Sequence, residues 1–153
     1  MEDQKVVVFS TSNEEFGIPV LNVISIERAQ QLNAVPLMPS YMLGVLTIRE
    51  ELIPIVDAGL ILFNKTTNHT DKTKIIVTKT DTVSVGLLVD DAKEIIDIPT
   101  NQLKQLSLTY QLSPYITGVV TLENRMITLL DPSKLFDGLE GFDDIEEHIQ
   151  SHQ

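Results

Sequence analysis

The stretch YMLGVLTIREELIPIVD, residues 41–57, returns 74 residues later as YITGVVTLENRMITLLD, residues 115–131. Tyr opens both copies, Gly-Val stands at positions four and five, Thr at seven, Ile at thirteen, and Asp closes both. Each copy holds two short apolar runs around a polar turn, the pattern of a β-hairpin. A second echo precedes the first: Phe16-Gly17-Ile18-Pro19-Val20 resembles Val85-Gly86-Leu87-Leu88-Val89. The spacing between the two repeated elements differs in the two halves, which indicates an old tandem duplication and not a solenoid. A copy of about 70 residues is marginal alone. Two copies should therefore pack together and leave a groove where they meet.

Further runs rich in Val, Ile and Thr predict strands at 6–9, 16–23, 75–77, 83–89 and 95–96. Many short strands joined by brief polar turns predict an all-β fold of small antiparallel barrels. The polar stretch 64–74, NKTTNHTDKTK, is the linker candidate near the middle of the chain. Gly44 and Gly118 mark places where a Cβ is forbidden or a strand bends. Pro54 cannot donate to a ladder, so its strand is expected at an edge or bulged there. Asp131 followed by Pro132 is a helix-start signature, and Asp57 is expected to cap a short helix by analogy. A turn of helix is expected at 39–43, a weak helical pattern runs over 100–112, and 142–149 predicts an amphipathic helix docked on the barrels.

Composition narrows the function classes. The chain has 153 residues, no Cys and a net charge of −11. Disulfides, thiol catalysis and Cys-ligated zinc are excluded. A polyanion of this size is repelled by phosphate backbones and anionic lipid, which argues against nucleic acid as a partner. No basic n-region and no run of about 18 apolar residues is present, so direct membrane insertion is not expected and a cytoplasmic location is.

Catalytic patterns are missing. There is no Gly-rich phosphate loop and no Gly-x-Ser-x-Gly elbow. His69 stands in the linker candidate, and His148 and His152 stand in the tail with Asp143 and Glu146, where a solvated helix face accounts for them better than a metal site. Asp90-Asp91 and Glu50-Glu51 are adjacent pairs whose side chains diverge or sit in a turn. Asp57 and Asp131 match each other by repetition, which favours structural caps. The Pro-x-x-Pro of 36–39 is a stiff loop before it is a ligand for a proline-binding module. Composition and motifs favour a binding module with no cofactor.

The order of these pieces resembles the CheW coupling proteins of bacterial chemotaxis over about residues 5–137. The resemblance is carried by Phe16 to Val20, Gly44 to Arg49, Ile53 to Asp57, Val85 to Asp90, Tyr115 to Val119 and Arg125 to Asp131. It implies one domain over 1–153 made of two five-stranded SH3-like barrels. The approximate halves are 1–66 and 72–137, a terminal strand may cross between them, and 138–153 forms a tail. It implies a non-enzymatic adaptor that joins the cytoplasmic tips of methyl-accepting chemotaxis receptors to the regulatory domain of a CheA-type histidine kinase. Receptor tips, being helical, would lie in the groove between barrels, and the kinase domain would contact barrel ends. Partner contacts are implied at Val20, Val23 and Ser25, at Gly44 and Arg49, and at Val85.

Two departures stand out. The family's Asn-Leu-Arg-Gly becomes Thr47-Ile48-Arg49-Glu50, and a turn that prefers Gly at positive φ is strained by Glu, so a different turn is expected. A Glu common in the family is Ser25 here. Alternative readings are an adaptor of another chemosensory array, a truncated CheV-like protein, or a small hydrolase or ligand-binding barrel, which needs a deep apolar pocket with convergent acids.

Overall fold

A run such as Val6-Val7-Val8-Phe9 has no polar side to turn to water, so both of its faces need cover. The fold supplies it. Val6 and Val8 enter one apolar cluster with Ile98, Val120, Ile127 and Leu129, while Val7 and Phe9 enter another. Alternation along a strand sends successive side chains to opposite faces. The same split recurs in Ile75-Ile76-Val77: Ile75 and Val77 join a third cluster with Leu46, Ile53, Ile55 and Leu88, and Ile76 joins Val7 and Phe9.

The computed structural model describes residues 4–99, 103–104 and 114–151. Its strands are β1 (Gln4–Thr11), β2 (Glu14–Pro19), β3 (Val23–Arg28), β4 (Met42–Ile48), β5 (Glu51–Asp57), β6 (Lys74–Lys79), β7 (Ser84–Val89), β8 (Asp91–Ile98), β9 (Leu103–Lys104), β10 (Ile116–Leu122) and β11 (Arg125–Leu130). Helices are α1 (Ala58–Phe63), α2 (Pro132–Asp137) and α3 (Phe142–Ser151). One sheet has the order β8-β1-β2-β11-β10-β9 and the other β3-β6-β7-β5-β4. In the second sheet the chain leaving β3 reaches the opposite edge, where Asn33 bridges Val45 of β4 and closes the sheet on itself. The first sheet has a matching pair, β9 on β10 through Val119↔Lys104 and Val120↔Leu103. The expected all-β architecture of two barrel-like units is what forms. Of the weak helical pattern over 100–112, Leu103–Lys104 is strand, and the rest lies outside the described residues.

The barrels do not follow the two halves of the chain. Residues 23–89 hold every strand of the second sheet, and the first is assembled from 4–19 together with the strands after 91. The chain crosses between sheets at Val20–Asn22, a single turn of 3₁₀ helix, and at Asp90. The division 1–66 and 72–137 is therefore corrected: not one terminal strand but the first two strands of each repeat belong to the other repeat's barrel. The polar stretch 64–74 joins α1 to β6 on one sheet and is no boundary.

Pairing shows which residues are equivalent. Gly17 faces Leu129 in the parallel pair β2–β11, and Gly86 faces Ile55 in the parallel pair β7–β5. Gly17 to Gly86 is 69 residues, and Ile55 to Leu129 is 74. The offset is thus 69 for β1–β3 against β6–β8, and 74 from β4 to α1 against β10 to α2. Bulges obey it too: pairing skips Ile24 in β3 and Lys93 in β8, and skips Leu43 in β4 and Thr117 in β10.

The ends of the repeat now have a physical meaning. The Asp57 amide donates to the Tyr41 carbonyl at 2.9 Å, and the Asp131 amide donates to the Tyr115 carbonyl at 2.8 Å. Each Asp then caps the helix that follows. The Asp57 carboxylate accepts from Gly59 N at 2.9 Å and Leu60 N at 3.4 Å, and Asp131 accepts from Lys134 N at 3.3 Å.

Pro54 is not on an edge strand, because β5 lies between β4 and β7. Its partner Val45 spends its N–H and C=O on Asn33, so Val45 and Pro54 form a non-hydrogen-bonded pair. The missing N–H of Pro54 therefore points toward β7, whose ladder begins only at Ile55.

Candidate functional site

Two surfaces carry the residues singled out in the sequence. The first surrounds the crossing at Val20–Asn22. Val23 pairs with Thr78, and Thr78 pairs with Val85, so the three form a row across β3, β6 and β7. The Thr78 hydroxyl is buried and donates to the Val85 carbonyl at 2.8 Å, which satisfies a polar atom inside an apolar row. Val20 and Val23 are half-buried against the core between the sheets, and Leu21 beside them is 96% exposed. Ile26, on the same edge strand beyond the bulge, is 41% exposed. Val20, Leu21, Val23 and Ile26 thus give an accessible apolar strip where the chain passes from one barrel to the other.

Val85 and Ser25 do not belong to that surface. Val85 is completely buried, because β7 is the middle strand of its sheet and its face looks into the inter-sheet core. It supports Val23 through the row and meets no solvent. Ser25 pairs with Val77, which points into the barrel interior. Its hydroxyl is buried with no hydrogen-bond partner among the described residues. A carboxylate there would face the same interior, so the Ser departure costs no charge on the exposed strip.

The second surface is the β4–β5 hairpin. Gly44 is buried at φ +152°, and a Cβ on it would stand 2.6 Å from the Asn33 carbonyl oxygen. That oxygen accepts from Val45 N at 2.8 Å, the bond that closes the barrel. Gly44 is therefore required for closure and offers no side chain to a partner. Arg49 and Glu50 form the two-residue tip, between the paired Ile48 and Glu51, with φ of +53° and +67°. Both signs positive is the geometry that suits the twist of a hairpin. Glu50 adopts this left-handed conformation at a cost. Arg49 is exposed, and its guanidinium forms no ion pair among the described residues. Gly44 lies on β4 and Arg49 at the tip that follows it, at the opposite edge of the sheet from β3, so two separate faces emerge and not one cluster.

Other charged groups are already engaged. Asp57 is buried, and beyond its helix cap it accepts from Thr67 N at 3.1 Å and from the Thr67 hydroxyl at 2.5 Å, which pins the loop after α1. Arg125 grips Glu15 through two bonds of 3.0 and 2.6 Å and also pairs with Glu94. The hydrogen bond from Arg125 holds the Glu15 carboxyl below the usual carboxylate range against partial desolvation. A cleft of about 590 Å³ beside Tyr41 has Glu140 as the one carboxylate among the described residues that line it, so these bring no acids together there. No group of three His, Cys, Asp or Glu able to hold a metal occurs among the described residues. No described helix is long and apolar enough to cross a membrane.

Comparison with known proteins places this geometry. A family profile described as CheW-like domain matches residues 5–140. A probable chemotaxis protein CheW of Rhizobium etli is 30% identical over 144 residues, covering 90% of each chain. The chemotaxis proteins CheW of Bacillus subtilis and Klebsiella aerogenes are 28% and 27% identical over 136 and 140 residues, covering 88% and 90% of this chain and 87% and 84% of theirs. The crystal structure of a scaffolding protein, TtCheW from Thermoanaerobacter tengcongensis, superposes with a TM-score of 0.80 at 22% identity over 92% of both chains.

Proposed function

Because the chain belongs to the CheW-like domain family, we propose that it is a chemotaxis coupling adaptor that joins receptor tips to a CheA-type kinase without chemistry of its own. The observation that carries this reading is the accessible apolar strip Val20, Leu21, Val23 and Ile26 at the crossing between barrels. A strip of this kind suits the apolar face of a helix laid along it, and receptor tips are helical. The hairpin tip with Arg49 is the complementary polar contact, a guanidinium free to form a bidentate bond with a carboxylate. Holding both partners raises the concentration of kinase at the receptor, which is sufficient for an adaptor. The cytoplasm is where such partners meet.

The test is titration of the purified chain against the regulatory domain of the CheA kinase, and separately against a receptor-tip fragment, from the same cell. Saturable binding to both is expected. Leu21→Asp should weaken the receptor fragment alone, and Arg49→Glu should weaken at least one of the two with the fold intact. Absence of binding to either wild-type partner at high concentration would overturn the reading.

A further inference from the structure

The two-fold repetition of the fold is broken after α2. α3 follows α2, but nothing of the kind follows α1, where the chain runs through 64–73 to β6. Phe142, Ile145 and Ile149 of α3 are buried at spacing i, i+3 and i+7. They join one cluster with Met42, Val83, Val85 and Phe136, and the Phe136 and Phe142 rings stack at 5.7 Å. α3 also packs on β5, and Tyr41 Oη, at the start of the repeat, donates to the Glu140 carbonyl at 2.9 Å.

Applying the offsets of 69 and 74 finds the equivalent place on the other side. Val85 becomes Phe16, Met42 becomes Ile116, Tyr41 becomes Tyr115, and Phe136 becomes Leu62. These residues line an apolar groove of about 250 Å³, with Phe63 at its edge. Among the described residues no helix lies over it, and the groove is open. Phe136 is 1% exposed, whereas its counterpart Leu62 is only half-buried. Leu52, half-buried against the core on the α3 side, has as its counterpart Met126, 56% exposed. Phe63 is 42% exposed and held edge-on to Phe16 at 5.9 Å.

We propose that this groove is a second docking site, which takes an amphipathic helix of a partner protein with apolar residues at i, i+3 and i+7 and a basic polar face. The helical occupant follows from α3, which fills the equivalent groove with that spacing. The basic face follows from charge: Glu14 is the one charged residue among the described residues that line the groove, and the chain carries −11. The site is separate from the apolar strip. Glu14 and Phe16 begin β2 and Val20 follows its end, about 13 Å further along an extended chain.

The chain has no Cys, so one substitution makes a reporter. Thr128→Cys places a thiol among the groove residues with little change of volume. In the free chain the thiol should react quickly with a water-soluble maleimide at every protein concentration. A synthetic helix with Phe, Ile and Ile at the α3 spacing and Lys on its polar face should slow that reaction several-fold, and a scrambled peptide of the same composition should not. Phe63→Lys in the Thr128→Cys background should abolish the protection. Failure of the patterned peptide to protect overturns the proposal, and so does equal protection by the scrambled one, which means charge attraction alone. Slow reaction without peptide also overturns it: if it deepens with protein concentration, a second copy is the occupant, and if it does not, the chain covers its own groove.

Discussion

Gly86 lies opposite Ile55 in the parallel pair of β7 and β5, and a Cβ at position 86 would stand 2.4 Å from Ile55 Cδ1 and 2.9 Å from Ile75 Cγ2. The space a side chain would take is occupied by the neighbouring strand. Its repeat partner Gly17 meets Leu129 Cδ2 at 2.9 Å and Val6 Cγ2 at 3.3 Å, a looser version of the same contact. Gly86→Ala should therefore destabilise the chain by about 1–3 kcal/mol through overpacking, and Gly17→Ala by less. Ile55→Val removes the closest atom and should restore part of the loss in the Gly86→Ala background. Urea unfolding of the two single variants and the double variant measures all three terms. Additive losses in the double variant would show that Ile55 is not the obstacle.

The hairpin tip stores strain that a glycine would release. Glu50 sits at φ +67°, where an L side chain is disfavoured by about 1–2 kcal/mol. Glu50→Gly should raise stability by about 1 kcal/mol, part of the release being offset by the freer unfolded chain. A shift of the urea midpoint to higher concentration with an unchanged slope is the expected result. Arg49 occupies the same conformation, so Arg49→Glu should leave the midpoint nearly unmoved, and a loss of binding in that variant then reports on contact and not on folding.

Much of this was legible in the sequence, and the limit has a physical cause. The hairpin repeat, the Asp caps and the docked tail helix follow from local chemistry: spacing, turn residues, a Pro after an N-cap. Which copy's strand pairs with which is not local. Gly17 and Gly86 stand in matching motifs, and so do Ile55 and Leu129, so no local pattern marks the exchange that the fold makes. The short crossings at Val20–Asn22 and Asp90 carry it. The burial of Val85 is hidden for a related reason: in Ser84–Val89 every residue is buried, so no alternation marks which face each takes. A groove between the copies is expected from the repeat, but the place of the open one has no sequence signal, since it appears only when α1 and α2 are matched by the repeat and α3 is seen on one side.

Acid should loosen the first sheet at one identifiable point. The Arg125 hydrogen bonds lower the Glu15 pKa from its ordinary 4.5. A carboxylate with a depressed folded pKa contributes stability that is present above the unfolded value and lost as pH falls through the folded one. The contribution should therefore be complete at neutral pH and fade below about 4.5. Both partners are about a third exposed, so its size should stay within about 1 kcal/mol. Arg125→Met should flatten the stability profile between pH 5 and 3, in a range of about two units around the carboxylate value. An unchanged acid slope in that variant would remove the pair from the account.

At the alkaline end, Tyr41 reports on the seat of α3. Burial first, then the carboxylates of Asp144 and Glu140, push its phenol up to about 12 from an ordinary 10.0. Because ionisation is resisted only in the fold, the stability linked to Tyr41 is full below pH 10 and declines as pH climbs toward about 12. Absorbance of the tyrosinate band should show a late-titrating component that Tyr41→Phe removes. Two of the three causes belong to α3 and the turn before it. A ten-residue helix is marginal in isolation, so its place depends on Phe142, Ile145 and Ile149. Ile149→Asp should release it and return the late phenol toward its ordinary value while the strands persist in circular dichroism. A late phenol that stays late in that variant would mean that burial by the barrel alone raises Tyr41, and that α3 does not hold it.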